Sequence, residues 1–168
     1  ILQGKVEKMT GFEDTFGIKE IQIELNSEAK NVKINVTKYK NKPAGVSIQK
    51  TGKVYNYLQI DTENIGNKLQ KALISVKILK NWTSEKSLNK EDIALFKFNS
   101  TSLQWNELPT RYIEEDNNYY YYETELTSFS YFAIGEKMPE EILEETETPI
   151  AILKKNWTWI VVVIIVVI

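Results

Sequence analysis

Short runs in which apolar and polar side chains alternate recur along most of the chain. In residues 18–25, Ile21, Ile23 and Leu25 share one face of an extended chain, and Gln22 and Glu24 share the other. A period of two residues is that of a β-strand with one buried face. The same pattern predicts strands at residues 5–10, 32–36, 54–61, 72–78, 93–98, 103–108, 119–124 and 129–135.

Turn-forming residues separate these runs, and no long amphipathic helix interrupts them. Strands and turns in this rhythm predict an all-β fold, an antiparallel β-sandwich of the immunoglobulin-like kind, over residues 1–135. The run at 72–78 is the most apolar before the C-terminal tail and is expected at the centre of a sheet. Residues 114–118 predict a turn, and the runs at 119–124 and 129–135 are expected to form the last pair of strands.

Residues 136–155 differ in composition from the predicted domain. They contain six glutamates and two prolines but no aromatic residue. Such a segment buries too little apolar area to offset the entropy of ordering it. We therefore predict an acidic, solvated stalk that links the β domain to the C-terminal segment.

The C-terminal segment, residues 156–168, ends in an unbroken run of Ile and Val. Trp157 and Trp159 precede that run, and tryptophan prefers the membrane interface. The pattern predicts a membrane-anchor helix, although a spanning helix needs about 20 apolar residues, so the anchor is expected to be truncated in this sequence. The alternatives are an element that packs against copies of itself and a buried strand or adhesive tail.

The absence of two residue types excludes several kinds of chemistry. The chain contains no Cys and no His, which rules out thiolate nucleophiles, disulfides, imidazole metal ligands and the Ser-His-Asp triad. The net charge of −2 argues against nucleic-acid binding, which requires a basic face. We expect no enzymatic activity, no cofactor and no metal.

Aromatic residues are the candidates for ligand binding. Four tyrosines follow one another at residues 119–122 and would divide two and two between the faces of a strand. Trp82 and Trp105 are the other candidates. Sheet and core packing is the favoured interpretation for all of these residues, and an exposed platform for carbohydrate is the alternative.

Two pairs of carboxylates have the spacing of a catalytic pair on one strand face. They are Asp61 with Glu63 and Glu123 with Glu125. Acid catalysis would require burial that raises the pKa of one of them, and nothing in the sequence marks either pair as buried. Residues 61–64 and 116–118 offer oxygen ligands for calcium, but without the spacing of a calcium loop. Exposed carboxylates are the favoured interpretation.

Four Asn-x-Ser/Thr sequons offer candidate glycosylation sites. Asn81 and Asn99 fall in predicted connections, and Asn35 lies on the polar face of a predicted strand. Asn156 adjoins the hydrophobic run and is the least suitable acceptor. We therefore keep Asn35, Asn81 and Asn99 as the candidates in an exported protein.

Several blocks together resemble a known family. They are residues 54–60, residues 72–78 leading to Trp82, and residues 92–98, 105–110, 120–123 and 128–134. In order and spacing they resemble the PGF-pre-PGF domain of archaeal cell-surface proteins, and the resemblance extends over residues 18–135. The resemblance implies an extracellular, non-catalytic β domain that precedes a C-terminal membrane segment, as in S-layer-like or adhesive proteins. Leu126-Thr127-Ser128-Phe129 replaces the family's Pro-Gly-Phe, which favours retention of the C-terminal helix over its removal.

These observations predict a glycosylated structural protein at the archaeal cell surface, anchored in the cytoplasmic membrane. Its expected partners are membrane lipid, other copies of itself or other surface-layer proteins, and glycans, but not nucleic acid. One alternative is a filament or pilus subunit that donates residues 1–10 as a strand to a neighbour. The other is a carbohydrate-binding module. Because residues 1–5 lack the features of a signal peptide, we expect a mature form or a C-terminal part of a longer protein.

Overall fold

The computed structural model of the protein describes residues 1–138. These residues form one compact unit, Ile1–Met138. The predicted anchor with Trp157 and Trp159, the sequon at Asn156 and all but the first three residues of the predicted stalk lie outside the described residues.

Ten antiparallel strands form two sheets of five strands each. The first sheet has the order β1-β2-β5-β9-β8, and the second sheet has the order β3-β4-β10-β6-β7. This confirms the prediction of an all-β, antiparallel fold. The strands are β1 Val6–Met9, β2 Ile18–Leu25, β3 Lys33–Tyr39, β4 Val54–Glu63, β5 Leu69–Leu79, β6 Ile93–Asn99, β7 Gln104–Glu107, β8 Thr110–Glu115, β9 Tyr119–Leu126 and β10 Tyr131–Glu136.

The helical content of the described residues is small. One α-helix, α1, covers Lys80–Glu85 in the connection between β5 and β6. Three 3₁₀ turns cover Asp14–Phe16, Gly66–Lys68 and Lys90–Asp92. None of these segments is a long amphipathic helix.

The main core lies between the two sheets. Ile21, Ile23 and Leu25 of β2 are buried there, as their alternation predicts, and side chains of the second sheet such as Leu58 and Phe132 belong to the same cluster. Strand β5 lies between β2 and β9, so the most apolar run is central, as expected. Burial of these aliphatic faces supplies the main driving force for folding, about 25 cal/mol for each Å² removed from water.

A smaller core covers the outer face of the second sheet. Phe96, Phe98 and Trp105 project from that face and pack with Val46. Val46 belongs to the loop between β3 and β4, residues 40–53, which we call the covering loop. Because both faces of β6 are covered, five of its seven residues are buried, and its sequence reads as an apolar run.

The sequence-based pairing of the last strands is wrong. Strand β9 pairs with β5 and β8 in the first sheet, whereas β10 pairs with β4 and β6 in the second. The four residues between them cross from one sheet to the other, and the Ser130 carbonyl accepts a hydrogen bond from the Ile60 amide at 3.1 Å. In the immunoglobulin order the last strand lies at a sheet edge, whereas here it is internal.

Strand β8 was not predicted from the sequence. Its acidic end, Glu114 and Glu115, was interpreted as part of a turn, but both residues pair with β9. The pairing shifts between Tyr112 and Glu114, which leaves Ile113 as a bulge. A bulge interrupts the alternation of apolar and polar side chains, which is the pattern that predicts a strand from sequence.

Candidate interaction surfaces

The four tyrosines of β9 divide between the two faces of the strand, as predicted. Tyr122 is buried, with 1% of its surface exposed, and its hydroxyl donates to the Lys90 carbonyl at 2.8 Å. Tyr120 and Tyr122 both contact Tyr112 of β8 edge to face. Burial raises the pKa of Tyr122. These two tyrosines are packing residues.

Tyr119 and Tyr121 lie on the outer face of the first sheet, where lysines cover them. The Lys19 ammonium is 4.5 Å from the centre of the Tyr121 ring, and the Lys77 ammonium is 5.3 Å from that of Tyr119. The Tyr121 hydroxyl donates to Asp116 at 2.6 Å, which raises the pKa of Tyr121 to about 12. Stacking on a sugar would require a free ring face, so this arrangement does not favour the carbohydrate-binding alternative.

Both tryptophans within residues 1–138 are packing residues, which is the interpretation that the sequence favoured. Trp105 is 7% exposed and packs against Phe98 and Tyr57. Its indole N–H donates to the Ile48 carbonyl at 2.9 Å, which fixes the covering loop to β7. Trp82 of α1 is half-buried, and its ring contacts that of Tyr55 edge to face at 5.1 Å.

Three of the four carboxylates in the two pairs, Glu63, Glu123 and Glu125, have basic partners. Glu63 lies 3.0 Å from Lys33, and the hydrogen bond from this lysine lowers the pKa of Glu63. Glu123 pairs with Arg111 at 3.0 Å and Glu125 with Lys71 at 2.5 Å. A general acid needs a raised pKa, so this geometry does not support glycosidase chemistry.

The acidic turn residues have structural partners. Asp116 accepts hydrogen bonds from the amides of Asn118 and Tyr119, each at 2.7 Å, in the turn between β8 and β9. The hydrogen bond from Tyr121 is the main cause of the lowered pKa of Asp116. Asp61 is exposed on β4. Within residues 1–138, no three acidic side chains gather into a group that could hold a metal ion.

The three candidate glycosylation sites occupy different environments. Asn35 is exposed on β3, and its amide donates to Glu63 at 3.4 Å. Asn81 is exposed in α1, where the Thr83 hydroxyl of its sequon is buried. The Asn99 side-chain oxygen accepts hydrogen bonds from the amides of Thr101 and Ser102 at 2.9 and 3.2 Å in the turn between β6 and β7.

Each sheet has two edge strands, and three of the four carry features that discourage strand addition. Strand β8 has the bulge at Ile113, and β3 carries Lys33 and Lys38. Strand β1 carries Lys8. Lysines and bulges are common protections of sheet edges. Strand β7, Gln104–Glu107, has no basic residue, proline or bulge, so it is the least protected edge.

An apolar groove lies beside β7. Ile48, Trp105 and Met138 contribute its apolar lining, and its volume is about 520 Å³. Ile48 is 51% exposed and Met138 40% exposed. We call this groove, together with the adjacent β7 edge, the β7 groove.

Lys50 is a buried residue in the lining of the β7 groove. It is 2% exposed, and its ammonium donates to the carbonyls of Thr51 and Glu136 and lies 4.1 Å from the centre of the Phe96 ring. Burial lowers the pKa of Lys50. Neither Lys50 nor the β7 groove was predicted, because a lysine in a polar loop carries no sequence signal of burial.

The comparisons with known proteins give no family. The chain matches no protein-family model, no curated protein and no solved structure. Within residues 1–138, no helix combines the length and the apolar character that crossing a membrane requires.

Proposed function

We propose that the protein is a non-catalytic structural module of the cell surface, which acts through protein–protein interfaces. The single observation that carries this proposal is the uninterrupted Ile and Val sequence of residues 160–168, with Trp157 and Trp159 before it. A segment of this composition is costly in water and favourable in lipid. In this proposal it holds the β domain at the membrane, and the acidic residues 136–155 act as a stalk.

The resemblance of residues 18–135 to archaeal surface domains supports the same function. It favours an S-layer-like or adhesive role outside the cell, in which the β domain serves as a spacer or as a contact module. Glycans at Asn35, Asn81 or Asn99 would be attached on that side of the membrane. The proposed partners are membrane lipid and other copies of the chain or other surface-layer proteins.

Flotation with lipid vesicles tests the anchor. The full chain, dispersed in detergent and mixed with phosphatidylcholine or archaeal-lipid vesicles, is expected to float with them after the detergent is removed. The variant Val163→Asp/Ile165→Asp is expected to stay at the bottom of the gradient, because each central charge costs about 2.5–3.5 kcal/mol. The matched control Val163→Leu/Ile165→Leu should float like the wild type. A chain that stays soluble without lipid or detergent would refute the proposal.

A second candidate function is that of a filament subunit. The observation that favours it is the exposure of the N-terminal segment, since Leu2 is 52% and Val6 57% exposed. The segment is not free, because β1 pairs with β2 of its own chain from Val6 opposite Glu24 to Met9 opposite Ile21. Assembly would therefore use the outer edge of β1 while it stays in its own sheet.

A further inference from the structure

Large exposed apolar side chains concentrate in two places on the β domain. Leu2 and Val6 lie in residues 1–9, which we call the β1 segment, and Ile48, Leu103 and Met138 lie around β7. They are five of the seven large hydrophobic residues that are exposed among the described residues, and the other two are Leu79 and Ile113. Apolar groups gathered at two sites are more typical of interfaces than of a random surface.

These two places lie on opposite sides of the domain. Strands β7 and β8 are joined by only two residues, Leu108 and Pro109, so these two edges must lie one above the other. Each sheet has one remaining edge, β1 in the first and β3 in the second. The β1 segment is therefore separated from β7 by the width of a sheet, about 4.8 Å for each strand step.

The hydrogen-bond register of β7 with β6 shows which main-chain groups of β7 point toward its free edge. The Leu108 amide donates to the Leu95 carbonyl at 2.8 Å, in register with the pairing of Asn106 opposite Lys97. Bonded and non-bonded pairs alternate in an antiparallel ladder. The amides and carbonyls of Trp105 and Glu107 therefore point away from β6, where a further strand would pair with them.

The charges of the two sides are complementary. Strands β1 and β3 contain three lysines and one glutamate, whereas β7 and β8 contain three glutamates and one arginine. Lys5, beside β1, makes no ion pair within residues 1–138, and neither does Glu107 of β7. Opposite charge steers the two unlike sides together, and like charge disfavours pairing of two β7 edges.

We infer that copies of this chain associate head to tail, with the β1 segment of one copy lying along the β7 groove of the next. Val6 packs against Ile48 and Trp105 in this contact, and Lys5 approaches Glu107. The free main-chain groups of Trp105 and Glu107 bond to the outer edge of β1, which stays accessible because its Lys8 is paired with Glu20 of β2 at 2.5 Å. Because the two contacting sides differ, each copy keeps one free side of each kind, and the assembly is open-ended.

This inference rests on the proposed function, since it names the partner and the surface of the proposed protein–protein interface. It also commits the β7 groove to one occupant, a second copy of the chain. The full chain in detergent micelles is the suitable material, because detergent keeps residues 160–168 from driving association by themselves.

Disulfide cross-linking tests the contact, and the natural chain has no cysteine to interfere. The double variant Val6→Cys/Ile48→Cys is expected to give a ladder of covalent dimers, trimers and larger species on oxidation, which reductant reverses. An internal disulfide is excluded, because it requires Cα atoms within about 7 Å of each other. The control Leu79→Cys/Ile48→Cys, with Leu79 38% exposed, should stay monomeric.

The charge contribution is tested in the same assay. Glu107→Lys added to the double cysteine variant is expected to lower the cross-linking rate about tenfold at low salt, and Lys5→Glu added to that variant should restore it. Added salt should slow cross-linking of the Val6→Cys/Ile48→Cys variant, whereas association through an apolar tail would not be weakened by salt.

Three outcomes would overturn the inference. The first is a monomeric Val6→Cys/Ile48→Cys variant. The second is a ladder from Val6→Cys/Ile113→Cys instead, which would place β1 against β8. The third is efficient dimer formation by Val6→Cys or Ile48→Cys alone, which would mean a symmetric contact. A chain that floats with vesicles but does not cross-link rejects only this contact, whereas one that cross-links but does not float rejects only the membrane anchor.

Discussion

At the scale of single residues, two buried or nearly buried charges hold elements of the domain together. Lys50 joins the covering loop to the end of β10 through the carbonyls of Thr51 and Glu136. Glu20 on β2, 8% exposed, forms an ion pair with Lys8 of β1 at 2.5 Å and accepts a hydrogen bond from Gln22 at 2.6 Å. Lys50 therefore helps to hold the covering loop in place, and Glu20 helps to hold β1 in place.

The substitution Lys50→Met is expected to lower the free energy of unfolding by about 1–3 kcal/mol, because the carbonyls of Thr51 and Glu136 lose their buried donor. Lys53→Met is the matched control, since Lys53 is 41% exposed and 3.9 Å from Glu136. That control should change the free energy of unfolding by about 0–1 kcal/mol. Urea unfolding measures both values, and equal effects would contradict this role of Lys50.

Glu20 makes the stability of the domain sensitive to acid. Burial favours its neutral form, but the bonds from Lys8 and Gln22 outweigh burial, so the pKa of Glu20 lies below its ordinary value of 4.5. A carboxylate with a lowered pKa contributes stability that is present above about pH 4.5 and is lost as the pH falls through its folded-state pKa.

The difference in unfolding free energy between the wild type and Glu20→Gln should therefore shrink as the pH falls from about 6 to about 3. Urea unfolding at a series of pH values measures this difference. Glu24→Gln, on the same strand face and without an ion pair within residues 1–138, should show no comparable trend. A difference between the wild type and Glu20→Gln that does not vary with pH would rule out the stabilising ion pair.

At the scale of elements, alternation of apolar residues predicted most strands but not their partners. The run at 18–25 coincides with β2 because one face of that strand is buried and the other is polar. Strand β8 was not predicted because its bulge and its acidic end interrupt the alternation of apolar and polar residues. The pairing of β9 with β10 was expected from their adjacency in sequence, whereas a crossing between sheets depends on contacts that are distant along the chain.

Amides that bond to β6 alternate along β7 with amides that face the free edge. Proline is therefore expected to destabilise the domain to different extents at two neighbouring positions. Asn106→Pro removes an amide that bonds to β6 and is expected to lower the free energy of unfolding by about 2–3 kcal/mol. Glu107→Pro removes an amide that faces the free edge, together with the exposed carboxylate that accepts from the Met138 amide, and should cost only about 1 kcal/mol. Chemical unfolding of both variants measures the difference. Equal destabilisation would show that the free amides have been assigned to the wrong residues.

At the scale of the whole molecule, the compact unit extends slightly beyond the predicted domain end at residue 135. Strand β10 includes Glu136, whose amide donates to the Lys53 carbonyl at 2.8 Å and whose carboxylate accepts from the Lys53 amide at 2.9 Å. The Met138 amide donates to Glu107 at 3.1 Å. These bonds tie the end of the domain to the covering loop and to β7.

A chain ending at residue 138 is therefore expected to be more stable than one ending at residue 135, by about 2 kcal/mol or more. The shorter chain loses the Glu136 contacts with Lys50 and Lys53. The two thermal unfolding midpoints measure the difference, with a chain ending at 137 as the control that keeps Glu136. Equal midpoints for the 135 and 138 chains would contradict the role of Glu136.

The internal position of β10 has a consequence for how the protein is made. Strands β4 and β6 of the second sheet meet only through β10, which is the last strand of the domain to leave the ribosome. The earlier strands cannot complete the second sheet until synthesis has passed residue 136. Stable folding of the domain is therefore delayed until nearly all of it has emerged, so a chain stalled before residue 131 is expected to lack a complete second sheet.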